Sequence, residues 1–208
     1  MGYITDVQLN KHKKRVSIFV DHTFSFSIDR EVAVFSGLHT GAELPQDKIE
    51  ELLHNDSVQR CLNAALHFLA YRPRSESEVR RRLRRGSFSE EIISEVVARL
   101  EKQSLIDDMA FANYWKDNRV SYRPRSKRLI KRELMEKGIT SEIATNVVDD
   151  VDDEESAYRV AQKKARTIEA SDYNEFRNRL SNSLRLKGFH FDTIHRIAAR
   201  LWQEKYNT

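Results

Sequence analysis

The stretch Tyr71-Arg72-Pro73-Arg74-Ser75 returns unchanged as Tyr122-Arg123-Pro124-Arg125-Ser126, 51 residues later in a chain that has only three prolines. If the pentapeptide is the corner of a duplicated unit, apolar positions outside it should match at the same offset. Val79, Leu83, Phe88, Val96 and Leu100 fall on Ile130, Leu134, Ile139, Val147 and Val151. A further step of 50 reaches Leu180, Leu184, Phe189, Ile197 and Leu201. One internal spacing in three copies predicts three tandem units, each burying its apolar stripe with the help of its neighbours.

The punctuation around the pentapeptide divides each unit into helices. Proline disfavours helix in the residue before it, so Arg72 and Arg123 mark the end of a first helix. Ser75 and Ser126 then accept backbone N–H groups at the start of a second. Ser75-Glu76-Ser77-Glu78 reads as a capping box, which the other copy lacks because Leu129 replaces the acid. The second helices stop near Gly86, Gly138 and Gly188, residues suited to a left-handed turn, and a third helix follows. First helices are predicted over residues 58–71, 107–121 and 153–170. A turn requires the proline and the serine but neither arginine.

The N-terminal segment has a different period. Val7 and Leu9, then Val16, Ile18 and Val20, then Phe24, Phe26 and Ile28 alternate on single faces, which predicts strands, with Asp21-His22 as a tight hairpin. Asp29 can cap a short helix that stops at Gly37, and Pro45 starts another through Glu50-Glu51-Leu52-Leu53. The expected fold is mainly α: three tandem three-helix repeats in an elongated array, behind a small β-hairpin and helix segment. The expected boundaries are 1–57, 58–104, 105–152 and 153–208.

Composition narrows the function classes. A 39% hydrophobic share beside 33% charged residues is too apolar for general disorder and suits thin helical layers. The net charge is only +4, yet residues 71–137 hold 18 lysines and arginines against 11 acids. An acidic partner such as nucleic acid would be drawn to that middle segment. The single cysteine, Cys61, excludes an internal disulfide and a multi-cysteine zinc site, and is expected as a buried thiol. No apolar run reaches the roughly 20 residues that span a bilayer, so a cytoplasmic protein without membrane contact is expected. No phosphate-cradling glycine loop is present, and the histidines are dispersed, so neither nucleotide hydrolysis nor a metal centre is expected. Asp107-Asp108 precede a helix whose dipole favours acids. Phe111 and Trp115, four residues apart, share a packing face, and Trp202 packs near the C-terminal end.

At 100° per residue, Val79 and Leu83 point Arg81, Arg84 and Arg85 outward, with Arg80 on the flank. In the second unit Ile130 and Leu134 do the same for Arg128 and Arg132, with Lys131 flanking. Arg80 and Arg81 thus correspond to Lys131 and Arg132, whereas the third unit carries Ser181 and Asn182. Solubility alone gives no reason for that asymmetry; a directional contact surface does. The candidate contact residues are Arg72, Arg74, Arg80, Arg81, Arg84, Arg123, Arg125, Arg128, Lys131 and Arg132. Four phosphate contacts among them would give a logarithmic salt slope of about −3 to −4. Arginine also pairs with protein carboxylates, so phosphate is one of two possible targets.

Tyr71-Arg72-Pro73-Arg74-Ser75-Glu76, Glu78-Val79-Arg80, Leu105-Ile106-Asp107-Asp108, Phe111-Ala112, Trp115 and Lys137-Gly138-Ile139, in this order and spacing, resemble the signature of the RecX family, regulators of the recombinase RecA. The likeness covers nearly the whole chain. It departs at Ser87, where glycine is expected before Phe88 with Gly86 one place early, and in the third unit's missing basic pair. The resemblance implies a cofactor-free, non-enzymatic and monomeric modulator, mainly an inhibitor. It would lie along the RecA filament on single-stranded DNA, limiting filament growth, ATP hydrolysis and strand exchange, with only weak, sequence-independent DNA binding of its own. The competing reading is a direct DNA-binding protein with helix-turn-helix-like units that prefers a duplex site.

Overall fold

In a computed structural model, which describes residues 2–11 and 14–206, the chain divides into two compact units. One is the chain up to Arg72 together with Val79–Ile106; the other is Pro73–Glu78 together with the chain from Asp107 onward.

The first unit opens with antiparallel strands β1 (Gly2–Leu9), β2 (Arg15–Val20) and β3 (Thr23–Asp29), then helix α1 (Arg30–Phe35) and the two-residue strand β4 (Glu43–Leu44). The sheet order is β3-β2-β1-β4; the short β4 carried no alternating pattern long enough to be foreseen. Asp21 and His22 both adopt positive φ, 48° and 65°, the pair of left-handed residues that a two-residue hairpin needs. The Thr5 hydroxyl accepts the His22 N–H at 2.9 Å.

One expected face is corrected. Ile18 pairs with Phe26 but Phe19 with Phe24, so Ser25 is an extra residue in β3. This bulge turns Phe24 away from Phe26 and Ile28 to lie edge-on to Phe19, 60% exposed.

Helix α2 runs unbroken over Gln46–Leu69, where two helices were expected, and the anticipated boundary at residue 57 lies inside it. The polar stretch His54-Asn55-Asp56-Ser57 contains neither proline nor glycine, and Asp56 has its own task. Its buried carboxylate accepts Arg15 Nη1 and Nη2 at 3.2 Å and the Asp29 N–H at 2.5 Å, tying helix to sheet. The first half of α2 sets Leu52 among Ile4, Ile18, Phe26 and Ile28. The second half sets Cys61, Leu62 and Ala65 against α3 (Glu76–Arg84) and α4 (Glu90–Lys102), where Val79, Leu83, Val96 and Leu100 are buried. Burial pushes the Cys61 thiol up to about 11, which leaves it inert near neutral pH.

The second unit contains α5 (Asp108–Ser121), α6 (Lys127–Glu136) and α7 (Ser141–Val148), then α8 (Asp153–Ala165), α9 (Tyr173–Arg185) and α10 (Phe191–Tyr206). Phe111, Ile130, Leu134, Ile139 and Val147 form one core; Phe176, Leu180, Leu184, Phe189, Ile197 and Leu201 form the next. Trp115 stacks on Phe111 with ring centres 6.0 Å apart, and Trp202 packs on Phe176 at 5.5 Å. Helix α8 stops at Ala165, five residues before the expected end. There Lys205 Nζ takes over the carbonyls of Ala165 and Ile168, at 3.4 and 2.7 Å, and the chain turns through Thr167.

The second helices of all three repeats are followed by a left-handed residue, at Ser87 (φ 61°), Gly138 (φ 87°) and Gly188 (φ 84°). In the first repeat this residue is Ser87 and not the expected Gly86. A Cβ at Gly86 would instead meet the Phe88 ring at 2.9 Å.

The recurring serines make the joint between successive repeats. Ser75 Oγ accepts the Glu78 N–H at 3.2 Å and donates to the Lys137 carbonyl at 2.7 Å. Ser126 Oγ accepts the Leu129 N–H at 3.2 Å, while the Ser126 N–H donates to the Lys187 carbonyl at 3.0 Å. Both serines are fully buried. Glycine follows each of those lysines because a Cβ at Gly138 would lie 2.3 Å from Ser77 Cβ, and one at Gly188 would lie 2.6 Å from Ser126 Oγ. The joint is doubled by acids: Asp108 Oδ1 accepts the Glu76 N–H at 2.9 Å, and Asp153 Oδ1 accepts the Lys127 N–H at 2.6 Å. Their neighbours Asp107 and Asp152 cap their own helices, so each acid pair serves two helix N-termini, as the dipole argument required. Burial raises the pKa of both Asp108 and Asp153 against the lowering effect of those backbone N–H groups.

Candidate functional site

Taken residue by residue, the second pentapeptide separates into structural and available groups. Ser126 is the joint, and Pro124 closes the first helix. Arg125 is turned inward: its Nη1 lies 2.6 Å from Glu133 Oε1. Glu133, with a side chain only 11% exposed, also accepts Arg119 Nε at 2.6 Å and Trp115 Nε1 at 2.9 Å. The Arg119 guanidinium and the Lys137 ammonium lie over the Trp115 ring at 4.2 and 4.1 Å, and Lys137 reaches Glu78 at 3.1 Å. Arg125 therefore belongs to a packed network around Glu133. Tyr122 and Arg123 are left exposed.

The second helices differ in how freely they present their charges. On α3, Arg81 is exposed and has no ion pair among the described residues. Arg84 is exposed but forked onto Glu90, at 2.5 and 3.1 Å, which holds the Glu90 carboxyl below its usual range. Arg80 is half-buried and donates to Ser94 Oγ at 3.2 Å. Arg72 and Arg74 are half-buried and engaged with neighbouring groups. On α6, Arg128 is exposed and Lys131 half-exposed, neither with a hydrogen bond or ion pair among the described residues. Arg132 is exposed, with a loose 3.6 Å contact to Glu136 one turn on. The helical projection thus puts Arg81, Arg128 and Arg132 outward and Arg80 and Lys131 on flanks, as periodicity required. Pairing could not be read that way, because Glu90 reaches Arg84 from the start of α4, and Glu133 gathers Arg125 and Arg119 from outside its own helix.

At the matching positions of α9 stand Ser181, half-buried, and Asn182, exposed. The third repeat still has cations one turn away: Arg177 and Arg185 share with Arg128 a hollow of about 820 Å³. Among the described residues no three His, Cys, Asp or Glu side chains gather as metal ligands, and no helix is long and apolar enough to cross a membrane. Glu133 and Lys137 escaped the sequence reading of function; the recurrence of Lys-Gly at 137–138 and 187–188 was the available signal for the latter.

Comparison with known proteins agrees with this architecture. Residues 2–45 match the family description of the regulatory protein RecX N-terminal domain, and residues 61–100, 107–148 and 152–207 match the first, second and third RecX three-helix domains. The chain is 34% identical over 190 residues to the regulatory protein RecX of Listeria monocytogenes serotype 4b (strain CLIP80459), covering 89% of this chain and 71% of that one. It is 30% identical over 207 residues to the regulatory protein RecX of Leuconostoc mesenteroides, covering 98% and 78%. A crystal structure of RecX from Lactobacillus salivarius superposes with a TM-score of 0.62 at 31% identity, over 71% of this chain and 97% of that one. A second crystal structure, of a regulatory protein RecX, matches in fold with a TM-score of 0.70 at 23% identity, over 95% and 98%. Four successive domains in the family's order, on a chain whose repeats carry the family's motifs at their joints, place this protein in the RecX family of regulatory proteins.

Proposed function

We propose that the protein is a non-enzymatic, mainly inhibitory modulator of the RecA recombinase, binding the filament that RecA forms on single-stranded DNA and limiting its growth, ATP hydrolysis and strand exchange. The observation that carries this reading is the repetition of open cations at matching helical positions, Arg81 on α3 and Arg132 on α6, in a chain of the RecX family. Several modest ionic contacts along a polymeric partner add through effective concentration, so no single contact need be strong. A helix-turn-helix mode is disfavoured by charge. The first turns of the third helices, which would enter a major groove, carry Glu90 and Glu91, Glu142, and Asp192, all repelled by phosphate.

The test is RecA ATP hydrolysis on single-stranded DNA with Arg81→Glu and Arg132→Glu in one chain. The concentration for half-inhibition should rise about tenfold or more, since reversed charges at a contact repel as well as fail to attract. Helicity should be unchanged and the melting temperature should move by no more than about 4 °C, because Arg81 has no pair to lose and the Arg132–Glu136 contact is an exposed one worth about 0–1 kcal/mol. Unchanged inhibition removes these positions from the contact surface. Tighter binding to a bare duplex than to assembled filament would overturn the regulatory reading itself.

A further inference from the structure

The second unit contains a cleft of about 390 Å³ walled by Tyr122, Arg123, Lys163, Lys164, Thr167 and Lys187, and none of its lining residues is acidic. Lys163 and Lys164 come from the last turn of α8, and Lys187 from the turn just after α9. Arg123 and these three lysines make no side-chain hydrogen bond or ion pair among the described residues. A fifth cation, Arg159, is committed to the wall: it donates to the carbonyls of Val120 and Ser121, at 3.2 and 3.1 Å, and so fixes the segment that presents Tyr122 and Arg123. Tyr122 stands beside the cluster, 80% exposed.

Like charges held together without a counter-ion raise the local potential and draw a polyanion. Lysine ammonium groups act as point charges that suit phosphate oxygens, and the Thr167 and Ser183 side chains add hydroxyls to the same lining. An open aromatic ring next to such a cluster is the arrangement on which unpaired bases stack. We infer that this cleft binds consecutive phosphates of single-stranded nucleic acid, with an unpaired base stacked on Tyr122. The cleft shares no residue with the open cations of α3 and α6, and the inference does not depend on filament binding. It also gives the second pentapeptide's tyrosine and first arginine a use that the turn itself does not require.

The test uses the full chain without recombinase and a fluorescein-labelled oligothymidylate of about 20 nucleotides, long enough to cover one binding site. Anisotropy is read as salt rises from about 50 to 200 mM. Replacing Lys163, Lys164 and Lys187 by Ala removes up to three phosphate contacts, so the logarithmic salt slope should become shallower by about 2. Over that fourfold rise in salt the unaltered protein then loses about twentyfold more affinity than the variant. Tyr122→Ala should weaken binding to the single strand about tenfold and leave a duplex of equal length unaffected, while Tyr122→Phe binds normally. A triple Lys→Gln variant, with circular dichroism and melting measured alongside, guards against loss of fold. An unchanged slope in both triple variants overturns the site; equal affinity in both Tyr122 variants overturns the stacking. Filament inhibition is decided separately by the Arg81 and Arg132 substitutions.

Discussion

Ser87 holds a conformation for which repeats 2 and 3 use glycine. An L-residue in the left-handed region carries a clash between Cβ and the neighbouring carbonyl of about 1–2 kcal/mol, part of which glycine returns through its freer unfolded chain. Ser87→Gly should therefore stabilise the first unit by about 0.5–1 kcal/mol, read as a higher urea midpoint with an unchanged slope. The reciprocal change, Gly138→Ala, meets both that strain and a Cβ placed 2.3 Å from Ser77, and should cost about 2–4 kcal/mol. A neutral Gly138→Ala would mean that the joint between repeats yields far more easily than close packing allows. Serine is tolerated at 87 because there the backbone needs only the turn, whereas at 138 it also needs the missing side chain.

Among the elements, α3 and α6 have doubly capped N-termini, each with its own serine and an aspartate from the following repeat. Burial dominates the titration of Asp108 and Asp153, so each holds its proton to higher pH in the folded chain than the ordinary 3.8. The folded state then binds more protons than the unfolded state in the window above 3.8, and stability falls as pH rises through it. Asp108→Asn with Asp153→Asn keeps an oxygen to accept each backbone N–H and removes the burial of charge. Its melting temperature relative to the unaltered chain should climb as pH rises from about 3.8 towards neutrality. A relative fall over that range would show that the ionised caps are worth more than their burial costs.

Much of this element-level order was legible in the sequence, because a period near 50 fixes buried positions from Val79 to Leu201 by repetition alone. Three features were not. The unbroken α2 depends on Asp56, whose partners Arg15 and Asp29 are distant in sequence; the Ser25 bulge depends on strand register; and the Glu133 network draws on three elements at once. The first and third are pairings between residues distant in sequence, and the bulge is a choice of register within a hairpin; no hydrophobic period encodes any of them. For the site, periodicity gave direction but not availability. Arg84 and Arg125 point as outward or unexplained cations should, and acids elsewhere in the chain hold them. Of the basic cleft the sequence reading of cations held Arg123 alone, since Lys163 and Lys164 come from a helix that begins in an acidic block and Lys187 from the turn after α9.

At the scale of the whole molecule, a repeat depends on its C-terminal neighbour. A chain ended after Val151 loses both Asp153 and the Lys187 carbonyl from the start of α6, together with the core of the third repeat. The remaining part of the second unit should melt several degrees lower, and the amide hydrogens of Ser126 and Lys127 should exchange much faster than in the full chain. Unaltered exchange at those two amides would show that the repeats stand independently.

The joints also have a polarity. One face contributes a serine and the other a lysine-glycine pair, and the outer repeats each lack the half that a further copy would need. Ser87 stands where the glycine would be, and Phe176, buried against Trp202, occupies the place of the serine. The serine-to-lysine-glycine contact is therefore made twice, by Ser75 with Lys137 and by Ser126 with Lys187, and neither Ser87 nor Phe176 supplies the half that would extend it.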